Sequence, residues 1–218
     1  MNTPNSNIDD LQINNLPNRL TILRVLLIPI VLFCLYFASK DFSFISEYKS
    51  LLGWAAAWIF TIASITDFLD GYIARKRNIV TVLGSFLDPI ADKFLTVSCL
   101  IMLQHLERIN AFIVIILVLR EMYMTSLRLL AMNEGVQVPV NQIGKWKTAM
   151  QMVGIPCLMA NEVWNGIPFP VIGHALIYVA CILSLWSAIH YTFNMITKLK
   201  ILRQQKKSKK NHDSEGVN

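Results

Sequence analysis

Residues 51–77 read LLGWAAAWIFTIASITDFLDGYIARKR. The first sixteen carry no charge; the next eleven carry Asp67, Asp70, Arg75, Lys76 and Arg77. A helix needs roughly 20 mostly apolar residues, at a rise of ~1.5 Å each, to cross a bilayer. A charge-free run that ends in a cluster of charges therefore reads as a membrane-crossing helix whose polar end lies at the boundary with water.

The rest of the chain supports the same reading. Of 218 residues, 54% are hydrophobic and 16% charged, against roughly a quarter charged in an ordinary soluble domain. Six stretches suit transmembrane helices, approximately residues 20–37, 51–65 with its polar extension, 86–103, 111–130, 146–163 and 168–196. They follow one another too closely for a separate soluble unit, so the expected fold is all-α, a polytopic integral membrane protein of six transmembrane helices. Lys and Arg in short loops mark the cytoplasmic side. Arg19 and Arg24, the Arg75–Arg77 cluster, Lys145 and Lys147, and seven cations from Lys198 to Lys210 share one side, while the other shows Lys40, Lys49 and Arg108. That count expects both termini in the cytoplasm and the protein in the cytoplasmic (inner) membrane.

Residues 1–17 read as a polar arm, without the early cationic cluster of a cleavable signal. Residues 18–198 are expected to form one membrane domain. Residues 199–218 form a basic tail, expected to be disordered beyond its first turns and to lie near anionic lipid. Cys34, Cys99, Cys157 and Cys181 each sit in an apolar run with no close pair, which favours inert thiols over disulfides or zinc ligation. His105, His174 and His190 have no metal-binding spacing. Nucleic acid is not expected as a partner.

From the opening stretch the chain continues to a second acidic pair, Asp88 and Asp92. Spacings of three (Asp67, Asp70) and four (Asp88, Asp92) put each pair on one face of a helix. Four converging carboxylates partly out of water require a compensating cation. Oxygen-only donors suit Mg2+ or Mn2+, and the lack of nearby His or Cys argues against zinc or copper. Magnesium commonly shares its ligands with substrate phosphates, so the cluster suggests metal-assisted phosphoryl or phosphatidyl transfer. Gly71 and Gly84 remove side chains beside the acids, and Arg75, one turn beyond Gly71, offers a guanidinium fork suited to phosphate. A packing or capping role explains one intramembrane acid more readily than four at helical spacing interleaved with two glycines and an arginine.

The order Asp67-x2-Asp70-Gly71-x2-Ala74-Arg75-x8-Gly84-x3-Asp88-x3-Asp92 resembles the complete signature of the CDP-alcohol phosphatidyltransferases, with no position substituted. The resemblance implies a six-helix membrane enzyme that moves a phosphatidyl group from CDP-diacylglycerol to an alcohol and releases CMP. It implies a two-metal centre at Asp67, Asp70 and Asp88, with Asp92 beside the metals as general base. Gly71, Arg75, Thr81 and Gly84 would meet the CDP moiety. The stretch NNLPNRLTILRVLLIPI, with Asn18, Thr21 and Arg24, resembles the opening of the phosphatidylglycerophosphate synthases within that family, where the first helix borders the nucleotide. LREMYMTSLRLLAMNEG and NQIGKWKTAMQMV resemble the same subfamily. Homodimers are common in the resembled family, although the residues carry no interface signal.

Arg120 and Arg128 lie in an apolar span, where unpaired charge is costly, and Glu121 is expected to neutralise one of them. Together with Lys145 and Lys147 they leave an excess of positive charge that suits a phosphorylated acceptor such as glycerol 3-phosphate. Inositol phosphate, phosphatidylglycerol and serine are the alternative acceptors, serine being the least favoured by this charge. A divalent-cation transporter is the alternative of a different class. Against it stand the one-sided placement of the acids, the absence of an evident inverted repeat, and cations that would repel the cargo.

Overall fold

The computed structural model describes residues 16–39, 48–77, 82–134 and 142–215, with side chains described for 22–39, 48–66, 93–134, 142–201 and 204. Among these residues the fold is all-α, with six long helices and one minimal hairpin. The helices are α1 (Leu16–Ser39), α2 (Lys49–Arg77), α3 (Val82–His105), α4 (Ala111–Asn133), α5 (Gln142–Ala160) and α6 (Phe169–Glu215). Between α5 and α6, β1 (Val163–Trp164) pairs antiparallel with β2 (Ile167–Pro168), Val163 opposite Pro168 and Trp164 opposite Ile167.

Three helices contain stretches long and apolar enough to cross a membrane among the described residues: Ile22–Ser39 in α1, Lys49–Thr66 in α2 and Phe169–Ile201 in α6. Their outward faces carry large apolar side chains in the open, among them Phe33, Trp58, Ile62, Ile182 and Phe193. In water such a surface would drive aggregation. Against acyl chains it costs nothing, and this is the mark of a membrane protein.

The polar residues of α2 are accommodated within the helix. Thr61 donates to the carbonyl of Ala57 (2.7 Å), Ser64 to that of Phe60 (2.8 Å) and Thr66 to that of Ile62 (2.7 Å). Each hydroxyl is thereby satisfied without a water or a neighbouring helix. This lets the apolar run approach the carboxylates through a graded, internally bonded stretch.

Two compact units divide the chain. The first comprises Met1–Val114 with Gln151–Ile177. Within it α1 packs against α2 and α3, around buried Val31, Leu35, Phe60, Leu95, Cys99 and Leu103. Glycines set the closest approaches. A methyl group at Gly53 would come within 3.0 Å of the Met159 carbonyl oxygen, and one at Gly173 within 2.8 Å of Leu158. Small residues at such crossings let backbones touch where no hydrophobic effect drives helices together. Arg108, in the loop between α3 and α4, donates to the carbonyls of Leu158 (3.2 Å) and Met159 (2.7 Å). It thus places a cation on the otherwise unpaired carbonyls at the end of α5. Burial pushes its guanidinium below the ordinary value.

The second unit comprises Ile115–Met150 with Tyr178–Asn218. Its buried cluster is Met124, Ala131, Ala188, Tyr191 and Met195, with Leu127 and Leu199 packed against it.

Helix α2 carries the expected polar extension to Arg77 without a break. Two ends differ from the sequence expectation. Helix α5 stops at Ala160, so Val163, expected to end the fifth span, lies in β1 instead. Helix α6 continues to Glu215, so the stretch expected to become a disordered tail is helical. The reason lies in its composition: residues 198–210 are Lys, Leu, Ile, Arg, Gln and Ser with neither Gly nor Pro. Most of these are good helix formers, and a helix already nucleated in the span propagates through them cheaply.

Candidate active site

The acidic residues lie on two successive helices of the first unit. Asp67 and Asp70, with Gly71 and Arg75, lie on the continuous C-terminal part of α2, and Gly84, Asp88 and Asp92 lie on the N-terminal part of α3. The spacings of three and four therefore fall within single helices. The side chains of all of these, and of Asn18 and Thr21 on α1, lie outside the described residues, as does Thr81 altogether. Arg24, two turns into α1, is buried with 3% of its surface exposed.

The cationic residues lie in the second unit, and their side chains are described. Helix α4 supplies Arg120, Glu121 and Arg128, and the first turns of α5 supply Lys145 and Lys147. The four cations divide into two kinds. Arg120 and Lys147 are buried, at 8% and 3% exposure. Arg128 and Lys145 are exposed.

Glu121 is the reason for the division. Its Oε1 accepts from Arg120 (3.1 Å) and also from the ammonium of Lys147 on the neighbouring helix. The Arg120 Nε donates to the backbone carbonyl of Ser184 on α6 (3.1 Å), so one guanidinium ties α4 to α6 while its carboxylate partner ties α4 to α5. A buried cation without such partners would cost several kcal/mol. The sequence reading expected Glu121 to neutralise Arg120 or Arg128. It pairs with Arg120 and Lys147, because the fold brings in a lysine 26 residues away. Neither Arg128 nor Lys145 has a carboxylate partner among the described residues.

Serines 184 and 187 on α6, 0% and 3% exposed, escaped the sequence reading. The one signal of them was a pair of hydroxyls three apart in an apolar span, SLWS. Ser187 Oγ lies 3.5 Å from where a side chain at Gly144 would begin, an ordinary contact distance between the start of α5 and α6. Tyr123 and Thr192 share a hydrogen bond of 2.9 Å between α4 and α6. Beside it opens a groove of about 510 Å³ lined by Ile116, Leu119, Arg120, Tyr123, Leu185 and Phe193 among others.

Chemically, the second unit carries two exposed cations and two buried ones, the buried pair sharing one carboxylate. The charge sum is +3, from Arg120, Arg128, Lys145 and Lys147 against Glu121. Such a surface attracts an anion and holds its own members in fixed orientation.

Comparison with known proteins agrees with this chemistry. Residues 14–186 match the sequence profile described as CDP-alcohol phosphatidyltransferase. The chain is 37% identical over 181 residues to the CDP-diacylglycerol--glycerol-3-phosphate 3-phosphatidyltransferase of Bacillus subtilis (strain 168), covering 82% of this chain and 89% of that protein. It is similar to the protein of that name from Rickettsia felis, 35% identical over 178 residues and covering 81% and 93% of the two chains. The same holds for Haemophilus influenzae, 36% identical over 182 residues and covering 81% and 91%. The matched segment contains the acidic residues and the cationic residues alike, and the chain belongs to the CDP-alcohol phosphatidyltransferase family.

Proposed function

We propose that this chain transfers the phosphatidyl group of CDP-diacylglycerol to the C1 hydroxyl of sn-glycerol 3-phosphate, giving phosphatidylglycerophosphate and CMP. The observation that carries the reading is the unbroken signature from Asp67 to Asp92, lying within the matched residues of a chain 35–37% identical to relatives named for that activity. The setting is a membrane domain of six spans with both termini and the site on the cytoplasmic side.

The donor set of Asp67, Asp70, Asp88 and Asp92 is entirely carboxylate oxygen, which fits two Mg2+ or Mn2+ ions and suits softer metals poorly. When bound, such ions neutralise the pyrophosphate and stabilise the charge that develops on departing CMP. Arg75 binds a phosphate oxygen through its guanidinium, and Gly71 and Gly84 leave room for the nucleotide, bordered by Asn18, Thr21 and Thr81. Asp92 takes the proton from the C1 hydroxyl of the acceptor. The freed oxygen attacks the phosphorus attached to diacylglycerol, and the bond from that phosphorus to the CMP oxygen breaks.

Arg128 and Lys145, exposed and uncommitted to a carboxylate, meet the phosphate of the acceptor directly. Arg120 and Lys147, held by Glu121, contribute a fixed positive field behind them. This reading favours a phosphorylated acceptor over serine. The test is CMP release by the purified protein in detergent, with CDP-diacylglycerol and a panel of alcohols, with and without Mg2+. Release that needs both the metal and glycerol 3-phosphate is the expected result. Release with serine or inositol phosphate instead would overturn the acceptor, and no release with any alcohol would overturn the activity.

A further inference from the structure

The hairpin between α5 and α6 takes no part in the chemistry above, yet it is built with care. Asn165 and Gly166 both have positive φ (50° and 79°), the conformation of a two-residue type I′ turn, which only Asn, Asp and Gly adopt easily. Around this tight turn the side chains are apolar and open: Val163 is 68% exposed, Trp164 59% and Ile167 46%. In a water-facing hairpin these positions would be polar.

Beneath the hairpin lies a tether. Glu162 accepts from Ser50 Oγ (2.7 Å) and from Trp54 Nε1 (3.2 Å), both near the start of α2. The Trp54 ring meets Trp164 edge-on, with centroids 5.7 Å apart, and Phe169 likewise at 5.2 Å. The hairpin is thus fixed to α2 by one carboxylate and three aromatic rings, while its outer face stays bare.

Two features say what covers that face. The apolar, membrane-length run of α6 begins at Phe169, immediately after β2, and that of α2 begins at Lys49. The hairpin therefore sits where two candidate spans start. Rings with a bonded polar edge and an apolar body are the residues that collect at the membrane–water boundary. We propose that the β1–β2 hairpin and the Trp54–Trp164 pair form an anchor seated in the headgroup–acyl boundary of the leaflet opposite the carboxylates. The anchor also sets depth. Asp67 and Asp70 follow Trp54 by 13 and 16 residues on the same helix, about 20 and 24 Å at ~1.5 Å per residue. The hydrocarbon core is ~30 Å thick, so an anchored Trp54 carries Asp67 and Asp70 into its far third, about 10 and 6 Å short of the opposite boundary, on the side of the other leaflet's phosphate groups.

The test uses the full chain in phosphatidylcholine vesicles and reads the Trp164 emission as the difference between the native protein and Trp164→Phe, which keeps a ring in place. That emission should be lost to lipids brominated near the carbonyl more strongly than to lipids brominated near the chain terminus. A nitroxide at Val163→Cys, exposed and outside the tight turn, in a Cys34→Ser background, should report the same depth independently. Quenching by aqueous iodide without any quenching by brominated lipid would overturn the anchor and leave the hairpin in water. Protection from both quenchers, with cross-linking between copies through Val163→Cys, would overturn it in favour of a contact between two chains. Neither result bears on CMP release, so the anchor and the proposed reaction fail separately.

Discussion

At the scale of single residues, the carboxylates and the cations make different demands on substitution. Asp92→Asn keeps the size and one oxygen of the side chain and removes its basicity. Turnover is expected to fall by a factor on the order of 10²–10⁴, the usual share of a general base, while CDP-diacylglycerol still binds; single-turnover CMP release against equilibrium binding measures the split. Arg128→Ala or Lys145→Ala removes a charged contact worth about 1.5–3 kcal/mol. The KM for glycerol 3-phosphate should rise roughly ten- to hundredfold with little change for CDP-diacylglycerol, and steady-state kinetics against each substrate checks it. Glu121 behaves differently again. Its replacement by Gln leaves two buried cations short of their counter-charge, Arg120 and Lys147, so the principal loss is stability, on the order of 3–5 kcal/mol, seen as a lower unfolding temperature in detergent.

At the scale of elements, glycine decides how closely helices approach. Gly53 of α2 faces the backbone carbonyls of Met159 and Ala160 at the end of α5, at 3.0 and 3.3 Å from a built methyl. These atoms cannot swing aside as a side chain would. Gly53→Leu should therefore cost about 1–3 kcal/mol by overpacking and lower the unfolding temperature more than a leucine at the exposed positions Trp58 or Ile62. The presence and order of the six helices could be read from the hydrophobic runs, and the helical spacing of Asp67, Asp70 and Arg75 was legible in the same way. The end of α6 was not: that helix passes through its lysines, because residues 198–210 hold neither Gly nor Pro and charge alone is no stop signal.

At the scale of the whole molecule, the activity should depend on metal. Chelation with EDTA is expected to abolish CMP release, and added Mg2+ or Mn2+ to restore it without refolding. Recovery with Zn2+ alone would contradict an all-oxygen site. The protein belongs to a family whose matched region, residues 14–186, ends inside α6, and the basic continuation of that helix to Glu215 lies beyond it.

The linear order of residues determined the membrane class and the helical segments, and it is the source of the chemistry proposed for the acidic cluster. These depend on runs and spacings of a few residues along one helix, and the period of 3.6 fixes them locally. Tertiary structure alone decided how the cations are used. Arg120 and Lys147 look the same as Arg128 and Lys145 in the string of letters, and only the packing of α4 against α5 and α6 buries the first two on Glu121 and the Ser184 carbonyl while leaving the others open. It likewise decided that Trp54 and Trp164, 110 residues apart, share one edge-to-face contact. Contacts between distant segments follow from three-dimensional packing, and no periodicity along the chain encodes them.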